Sequence, residues 1–176
     1  MKRVLLACAL LIALSATAYA GEYYLSDEEQ YWWYWDGSPP YEVKIPATAF
    51  AYVQVEWGGT TSLEVALGEK GPMLIIGTLP GTDVNRAWNA ISGRWAASVE
   101  NSRMTNDSTI TTDQGLSARF RVLEGSAPGG PNAMVRMVMF TRGNRMAYLA
   151  FVGNASSYTG AAREQWLKAV HTFNWR

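Results

Sequence analysis

The chain has 176 residues, with fifteen acidic and fifteen basic side chains, one histidine and one cysteine, Cys8. This length suits one ordinary domain, and a sequence with no block of consecutive bases argues against nucleic-acid binding. A lone cysteine excludes an intramolecular disulfide and a cysteine-rich metal site.

An export signal is predicted at the N-terminus. Lys2 and Arg3 precede the apolar run Val4–Leu14, which is too short to cross a bilayer. Small residues then stand at both ends of Ala18–Ala20, where a signal peptidase would read them. We expect residues 1–20 to be removed, leaving a periplasmic or secreted, soluble protein that has no stable membrane anchor and no thiol.

The charges are spread unevenly over the remaining chain. Its first sixteen residues hold five acids and no base, whereas the part from Arg119 onward holds eight bases and two acids. We expect the acidic segment to lie near the basic half of the same molecule. The alternative is a partner held by one of the two poles.

Residues 21–40 form an acidic and aromatic N-terminal arm. It contains five consecutive aromatic residues: Tyr31, Trp32, Trp33, Tyr34 and Trp35. Ser26–Glu29 matches a helix capping box, and Gly37 with Pro39–Pro40 would end a helix, so a short helix is predicted over Asp27–Trp35. The competing interpretation is a strand, because tyrosine and tryptophan favour strands.

The arm is the main candidate binding surface in the sequence. On a helix, Tyr31 and Trp35 would share one face, and Trp32 and Trp33 would point elsewhere. Exposed tryptophans suit an interface, so we expect the arm to engage a protein partner or a second copy of the chain. A carbohydrate or peptidoglycan ligand is the alternative, and burial of most rings within the monomer is also left open.

Apolar periodicity predicts the elements of the remaining domain, residues 41–176. Strands are predicted at Tyr41–Ile45, Ala51–Trp57, Thr61–Leu67, Pro72–Gly77, Asp107–Thr112, Leu116–Leu123, Ala133–Thr141 and Arg145–Val152. The last two are apolar on both faces, which indicates central strands. A helix capped by Thr82 or Asp83 should bury Trp88 and Trp95, and a second helix should follow Ser157 or Thr159.

This order predicts a single α+β domain. We expect a mainly antiparallel sheet of about six or seven strands, with two main helices packed on it.

The element order and the closing segment REQWLKAVHTFNW, Arg163–Trp175, resemble the PsbP/Mog1-like family of α-β-α sandwiches. The resemblance spans roughly Tyr41–Phe173 and leaves residues 21–40 outside. It implies an accessory or adaptor role rather than catalysis. No motif aligns, so no functional residue is carried over from the family.

The sequence contains no recognised catalytic, phosphate-binding or calcium-binding motif. His171 is the only histidine, so a histidine-based metal or catalytic site is disfavoured and no cofactor is expected. Arg119, Arg121 and Arg136 are expected to share one sheet face with Glu56 and Glu64. That face would be an anion-binding patch or a solvated surface with ion pairs. A non-catalytic binding protein is therefore predicted, and a hydrolase with dispersed carboxylates is the remaining alternative.

Overall fold

The structure is a computed structural model. It describes residues 22–25, 31–37, 40–46, 51–57, 60–68, 71–96, 99–126, 130 and 132–176. Side chains are described for residues 40–45, 62–68, 71–93, 99–126, 130 and 132–176. The predicted leader, residues 1–20, lies outside the described residues.

Two antiparallel sheets make up most of the described chain. The strands are β1 (Glu22–Leu25), β2 (Tyr31–Gly37), β3 (Pro40–Pro46), β4 (Ala51–Trp57), β5 (Thr60–Ala66), β6 (Met73–Pro80), β7 (Glu100–Thr111), β8 (Ser117–Ser126), β9 (Asn132–Arg142), β10 (Arg145–Asn154) and β11 (Asn174–Trp175). The larger sheet has the order β4-β5-β6-β10-β9-β8-β7, and the smaller sheet has the order β1-β2-β3-β11.

Two α-helices are described, α1 (Val84–Ala96) and α2 (Gly160–Thr172), with a short 3₁₀ helix at Ala155–Ser157. Asp83 caps α1, because its Oδ1 accepts hydrogen bonds from the amides of Asn85 and Arg86 at 2.9 and 3.1 Å. Trp88 is buried, as its spacing predicts. The side chain of Trp95 lies outside the described residues.

The helices cover opposite faces of the larger sheet. Trp88 and Ile91 of α1 pack on one face, against Met139 of β9 and Tyr148 of β10. On the other face, α2 and the strand β3 enclose the larger hydrophobic core. The prediction of a single α+β domain with two helices on a mainly antiparallel sheet is confirmed.

Strand β10 lies in the middle of the larger sheet, and β9 is its neighbour. All six side chains from Met146 to Phe151 are buried. Successive side chains of a strand point to opposite faces, so this burial requires that both faces of the sheet be covered at β10. The predicted central position of these two strands is confirmed. The turn between them uses Gly143 at a φ of 57°, a conformation that suits glycine.

The aromatic run is a strand, and the predicted helix over Asp27–Trp35 is wrong. Strand β2 pairs with β1 on one side and with β3 on the other. A helix of about nine residues is marginal in water, whereas a central strand has main-chain partners on both sides. The capping-box residues Ser26–Glu29 lie outside the described residues.

Candidate functional site

The candidate site is built around Arg136, which stands in a row of core positions on β9. Side chains alternate across a strand, so Met134, Arg136, Val138 and Phe140 share one face. The three hydrophobic members are at most 4% exposed. The sequence therefore places a permanent cation on the face that otherwise forms the core.

Aromatic rings surround the arginine head. Its guanidinium carbon lies 4.2 Å from the ring centroid of Tyr158 and 5.1 Å from that of Phe120. Both distances are within the range of cation–π attraction, which grows stronger where water is excluded. The rings stabilise the positive charge of Arg136. They do not act as acceptors for the N–H groups that lie in the plane of its guanidinium.

The hydrogen-bonding capacity of Arg136 is incompletely used. Its Nε is buried and has no hydrogen-bond partner. Its Nη1 reaches only the Met134 sulfur, at 3.9 Å, and sulfur is a weak acceptor. Among the described residues no carboxylate pairs with Arg136. A buried donor left without a partner costs about 1–3 kcal/mol, so its presence in a folded protein calls for an explanation.

A cleft of about 410 Å³ opens beside Arg136, between α2 and strands β7 to β9. Ile110, Phe120 and Val138 line it from the sheet, and Trp166, Leu167 and Val170 line it from the helix. We call this space the α2 cleft. Its lining is largely hydrophobic, and Arg136 is a charged group within it.

His171, the only histidine, also lines the α2 cleft. Its Nδ1 lies 2.9 Å from Oδ1 of Asp113, which follows β7 in the turn to β8. The side chains are 41% and 74% exposed, respectively. An ion pair this exposed contributes little to stability, although it does join the end of α2 to the turn.

The three arginines singled out in the sequence do not form one patch. Arg121 pairs with Met137, and Val122 pairs with Arg136, so Arg136 lies on the sheet face opposite that of Arg119 and Arg121. The expectation that all three share a face is wrong. The register between β8 and β9 determines which residues of the two strands share a face, and the sequence of each strand alone does not reveal it.

Arg119 and Arg121 are occupied by a carboxylate from the neighbouring strand. Oδ1 of Asp107 on β7 accepts hydrogen bonds from Nε of Arg119 at 2.5 Å and from Nε of Arg121 at 2.9 Å. Arg121 also donates from Nη2 to Asn85 of α1 at 2.7 Å, and its guanidinium lies 5.8 Å from the Trp88 ring centroid. This network joins β7, β8 and α1.

The two arginines also change the acidity of their partner. Hydrogen bonds from Arg119, and then from Arg121, lower the pKa of Asp107 from 3.8 to about 2. Of the predicted ion-pair partners, Glu64 is on β5, distant from β8 in the strand order, and the side chain of Glu56 lies outside the described residues. Arg119 and Arg121 are therefore part of the structural framework, and Arg136 is the candidate ligand contact.

The five aromatic residues of the arm occupy successive positions on β2, where alternate residues belong to opposite faces. Trp32 is opposite Ile45 and Tyr34 is opposite Val43, and both of those β3 residues are core residues. Trp33 is opposite Lys44, and Trp35 is opposite Glu42. The side chains of Tyr31–Trp35 lie outside the described residues.

Two other hollows occur in the described part of the chain. One of about 200 Å³, lined in part by Val99, Leu123 and Val152, lies on the α1 side of the sheet. The other, of about 420 Å³, has a mostly polar lining that includes Asn101, Arg103 and Glu124, and none of the described side chains that line it has a buried donor without a partner. Within the described ranges, no three His, Cys, Asp or Glu side chains gather as a metal site requires. No helix in the described part of the chain is long and apolar enough to cross a membrane.

No protein-family model matches this chain, and no curated protein matches it. Solved structures do. A Pseudomonas aeruginosa protein of unknown function is 10% identical, with a TM-score of 0.46, over 89% of this chain and 97% of its own. A Bacteroides thetaiotaomicron protein is 12% identical, with a TM-score of 0.46, over 77% of this chain and only 45% of its own.

The solution structure of cyanobacterial PsbP (CyanoP) from Synechocystis sp. PCC 6803 has a higher TM-score, 0.53. It is 10% identical to this chain, and the match covers 92% of this chain and 95% of the cyanobacterial protein. Identity this low carries information on the fold alone. The similarity supports a PsbP-like fold, as the element order and the closing segment of the sequence indicate.

Proposed function

We propose that this chain is an exported, non-catalytic binding protein that holds a small ligand in the α2 cleft. The observation that carries the proposal is the Nε of Arg136, which is buried without a hydrogen-bond partner beside an open cleft. A ligand that supplies an acceptor would offset the cost of that buried donor.

The size and chemistry of the cleft favour binding of a small molecule. Its volume of about 410 Å³ lies within the range of about 300–1,000 Å³ that is usual for such sites. Hydrophobic walls with a few polar groups are also typical of these sites. Arginine stays protonated in proteins, so Arg136 is suited to holding a ligand rather than to transferring a proton.

Two further proposals come from the N-terminal segment. We retain the proposal that residues 1–20 are an export signal, which intact mass can decide. We also retain the proposal that the arm engages a protein partner or a second copy. The strand register moves the proposed contact positions from Trp32 and Trp33 to Trp33 and Trp35, which are opposite Lys44 and Glu42 of β3. Variants of β2 assayed for association can decide this second proposal.

The cleft is tested with an uncharged fluorescent probe, N-phenyl-1-naphthylamine, on the mature chain. Leu167 lines the cleft and is only half-buried, so Leu167→Trp should fill the cleft without displacing the core. We expect wild-type protein to bind the probe and Leu167→Trp to weaken binding at least about tenfold, the effect of losing roughly 1.4 kcal/mol of contact.

Arg163→Trp is the matched control, since Arg163 is an exposed residue of the same helix and is not part of the cleft lining. This variant adds the same indole and should bind the probe as the wild type does. Equal binding by wild type and Leu167→Trp, or no binding to the wild type, would contradict the assignment of the cleft as the ligand site.

A further inference from the structure

We propose that the ligand of the α2 cleft is a small amphipathic anion, with an acidic head bound by Arg136 and an apolar body against α2. This inference rests on the proposed function, because it assigns a chemical class to the ligand of the same cleft. Carboxylate and sulfonate heads each present a pair of oxygen atoms that can accept hydrogen bonds from two N–H groups of a guanidinium.

A comparison within the molecule identifies the missing partner as an anion. Arg121 is only 7% exposed and lies on the opposite sheet face, where Asp107 and Asn85 accept its hydrogen bonds. Arg136 lies one strand away beside aromatic rings, like Arg121 beside Trp88, but no described carboxylate pairs with it. The same side chain thus has a carboxylate and an amide oxygen as acceptors at one position, and only a thioether sulfur at the other.

The surroundings of Arg136 would make an anion bind well. The rings of Phe120 and Tyr158 lie against its guanidinium. Val138 and Trp166 add further hydrophobic surface along the cleft. A charge pair in such surroundings is screened less than one in water, so a single acidic group gains more there. The aromatic contacts also restrict the guanidinium, which lowers the entropy lost on binding.

The rest of the lining selects the body of the ligand. Ile110, Leu167 and Val170 provide aliphatic surface, and few polar groups converge beside it. A sugar would leave many hydroxyl groups without partners against such a wall, whereas an aryl or alkyl group would not. The cleft therefore fits an aromatic or aliphatic monoanion better than a glycan.

The test uses two probes that differ in one acidic group. Anilinonaphthalene sulfonate is the sulfonated counterpart of N-phenyl-1-naphthylamine, so comparing their affinities by calorimetry isolates the contribution of the head. We expect wild-type protein to bind the sulfonate at least about tenfold more tightly, since hydrogen bonds between charged groups are the strong ones.

Arg136→Met should abolish that preference. Methionine keeps an unbranched apolar side chain but removes the charge and the unpaired donor, so we expect the variant to remain folded with an unchanged or higher melting temperature. Binding of the sulfonate should fall to the level at which the same variant binds the uncharged probe. Arg145→Met, a change of an exposed arginine outside the cleft, should leave both affinities unchanged.

Competition by 2-naphthoate and by decanoate distinguishes the two sources of an acidic head, an aryl acid and a fatty acid. Displacement of the sulfonate probe by one of them from wild type, but not from Arg136→Met, would support the inference and show which body fits. Equal affinity of the wild type for the two probes would overturn the inference while leaving the cleft a binding site. If Arg136→Met were destabilised and still bound the sulfonate more tightly than the uncharged probe, Arg136 would have a structural role and would not bind the acidic head. Failure of both probes to bind would instead contradict the proposed function itself.

Discussion

Asp107 shows how two buried or half-buried arginines are made compatible with the fold. Its single carboxylate accepts from both Arg119 and Arg121, and the bonds keep its pKa at about 2. Because this folded-state pKa lies below the ordinary 3.8, the stabilisation by Asp107 is complete above about pH 4. It is lost as the pH falls through about 2.

We expect Asp107→Asn to lower the free energy of unfolding by about 1–2 kcal/mol at neutral pH, because an amide replaces the charge paired with buried Arg121. The measurement is urea unfolding of both proteins from pH 7 to pH 2. The difference between them should be constant above about pH 4 and shrink towards zero near pH 2.

Asp113→Asn is the control for this prediction, since Asp113 is an exposed carboxylate that contacts only an exposed histidine among the described residues. Its effect should stay below about 0.5 kcal/mol at every pH. A difference for Asp107→Asn that stayed constant down to pH 2 would show that the carboxylate is not the group responsible.

Because the aromatic run forms strand β2, its residues alternate between two faces of the smaller sheet. This alternation decides which of the aromatic positions share a face. As a helix, the run would place Trp32 and Trp33 away from Tyr31 and Trp35. As a strand, it places Trp33 with Trp35 and assigns Trp32 to the face of core residue Ile45. Trp32 and Trp33 are thus on opposite faces, so a contact surface made of both is no longer expected.

We therefore expect Trp33→Ala/Trp35→Ala to weaken self-association or partner binding by about thirtyfold, as loss of interface tryptophans often does, with little change in melting temperature. The measurements are sedimentation velocity over a range of chain concentrations, pull-down from envelope extract, and thermal unfolding. A titration with soluble peptidoglycan fragments tests the alternative ligand.

Trp32→Ala/Tyr34→Ala is the matched comparison on the other face of β2. It should lower the free energy of unfolding by about 3–5 kcal/mol, because both positions are opposite core residues of β3. If the two double variants lost stability equally and neither changed association, the arm would be a structural strand and not a binding surface.

At the scale of the whole molecule, the first and last strands of the described chain form the two edges of the smaller sheet. Strand β11 pairs with β3, and the Arg176 amide donates to the Pro40 carbonyl at 2.8 Å. The Arg176 side chain forms an ion pair with Glu42, and Arg142 donates to the Arg176 carbonyl. An acid of β3 thus pairs with a base at the end of the described chain. The acids of residues 21–36, which the predicted proximity to the basic half concerns, lie outside the described side chains.

Export should leave this architecture whole, because β1 begins at Glu22, directly after the expected cleavage at Ala20. We expect protein recovered from the periplasm or medium to have the intact mass of residues 21–176. A mass that retained the leader, or a lipid-modified mass beginning at Cys8, would contradict the predicted signal peptide.

Much of the element order could be read from the chain alone. The alternation along β9 and β10 and the helical spacing around Trp88 predict local structure and burial because side-chain direction repeats every two residues in a strand and about every 3.6 in a helix. The odd feature of the site was also visible, since Arg136 interrupts an apolar strand at a position shared with Met134 and Val138.

The site itself depended on contacts between distant segments. The register that pairs Arg121 with Met137 separates Arg136 from Arg119, and a shift of one residue would have reversed that outcome. Tyr158, Phe120 and Leu167 come together around Arg136 only when α2 packs on the sheet. The aromatic run became a strand because β1 and β3 supply main-chain partners, and pairing between segments is not encoded in the periodicity of either one.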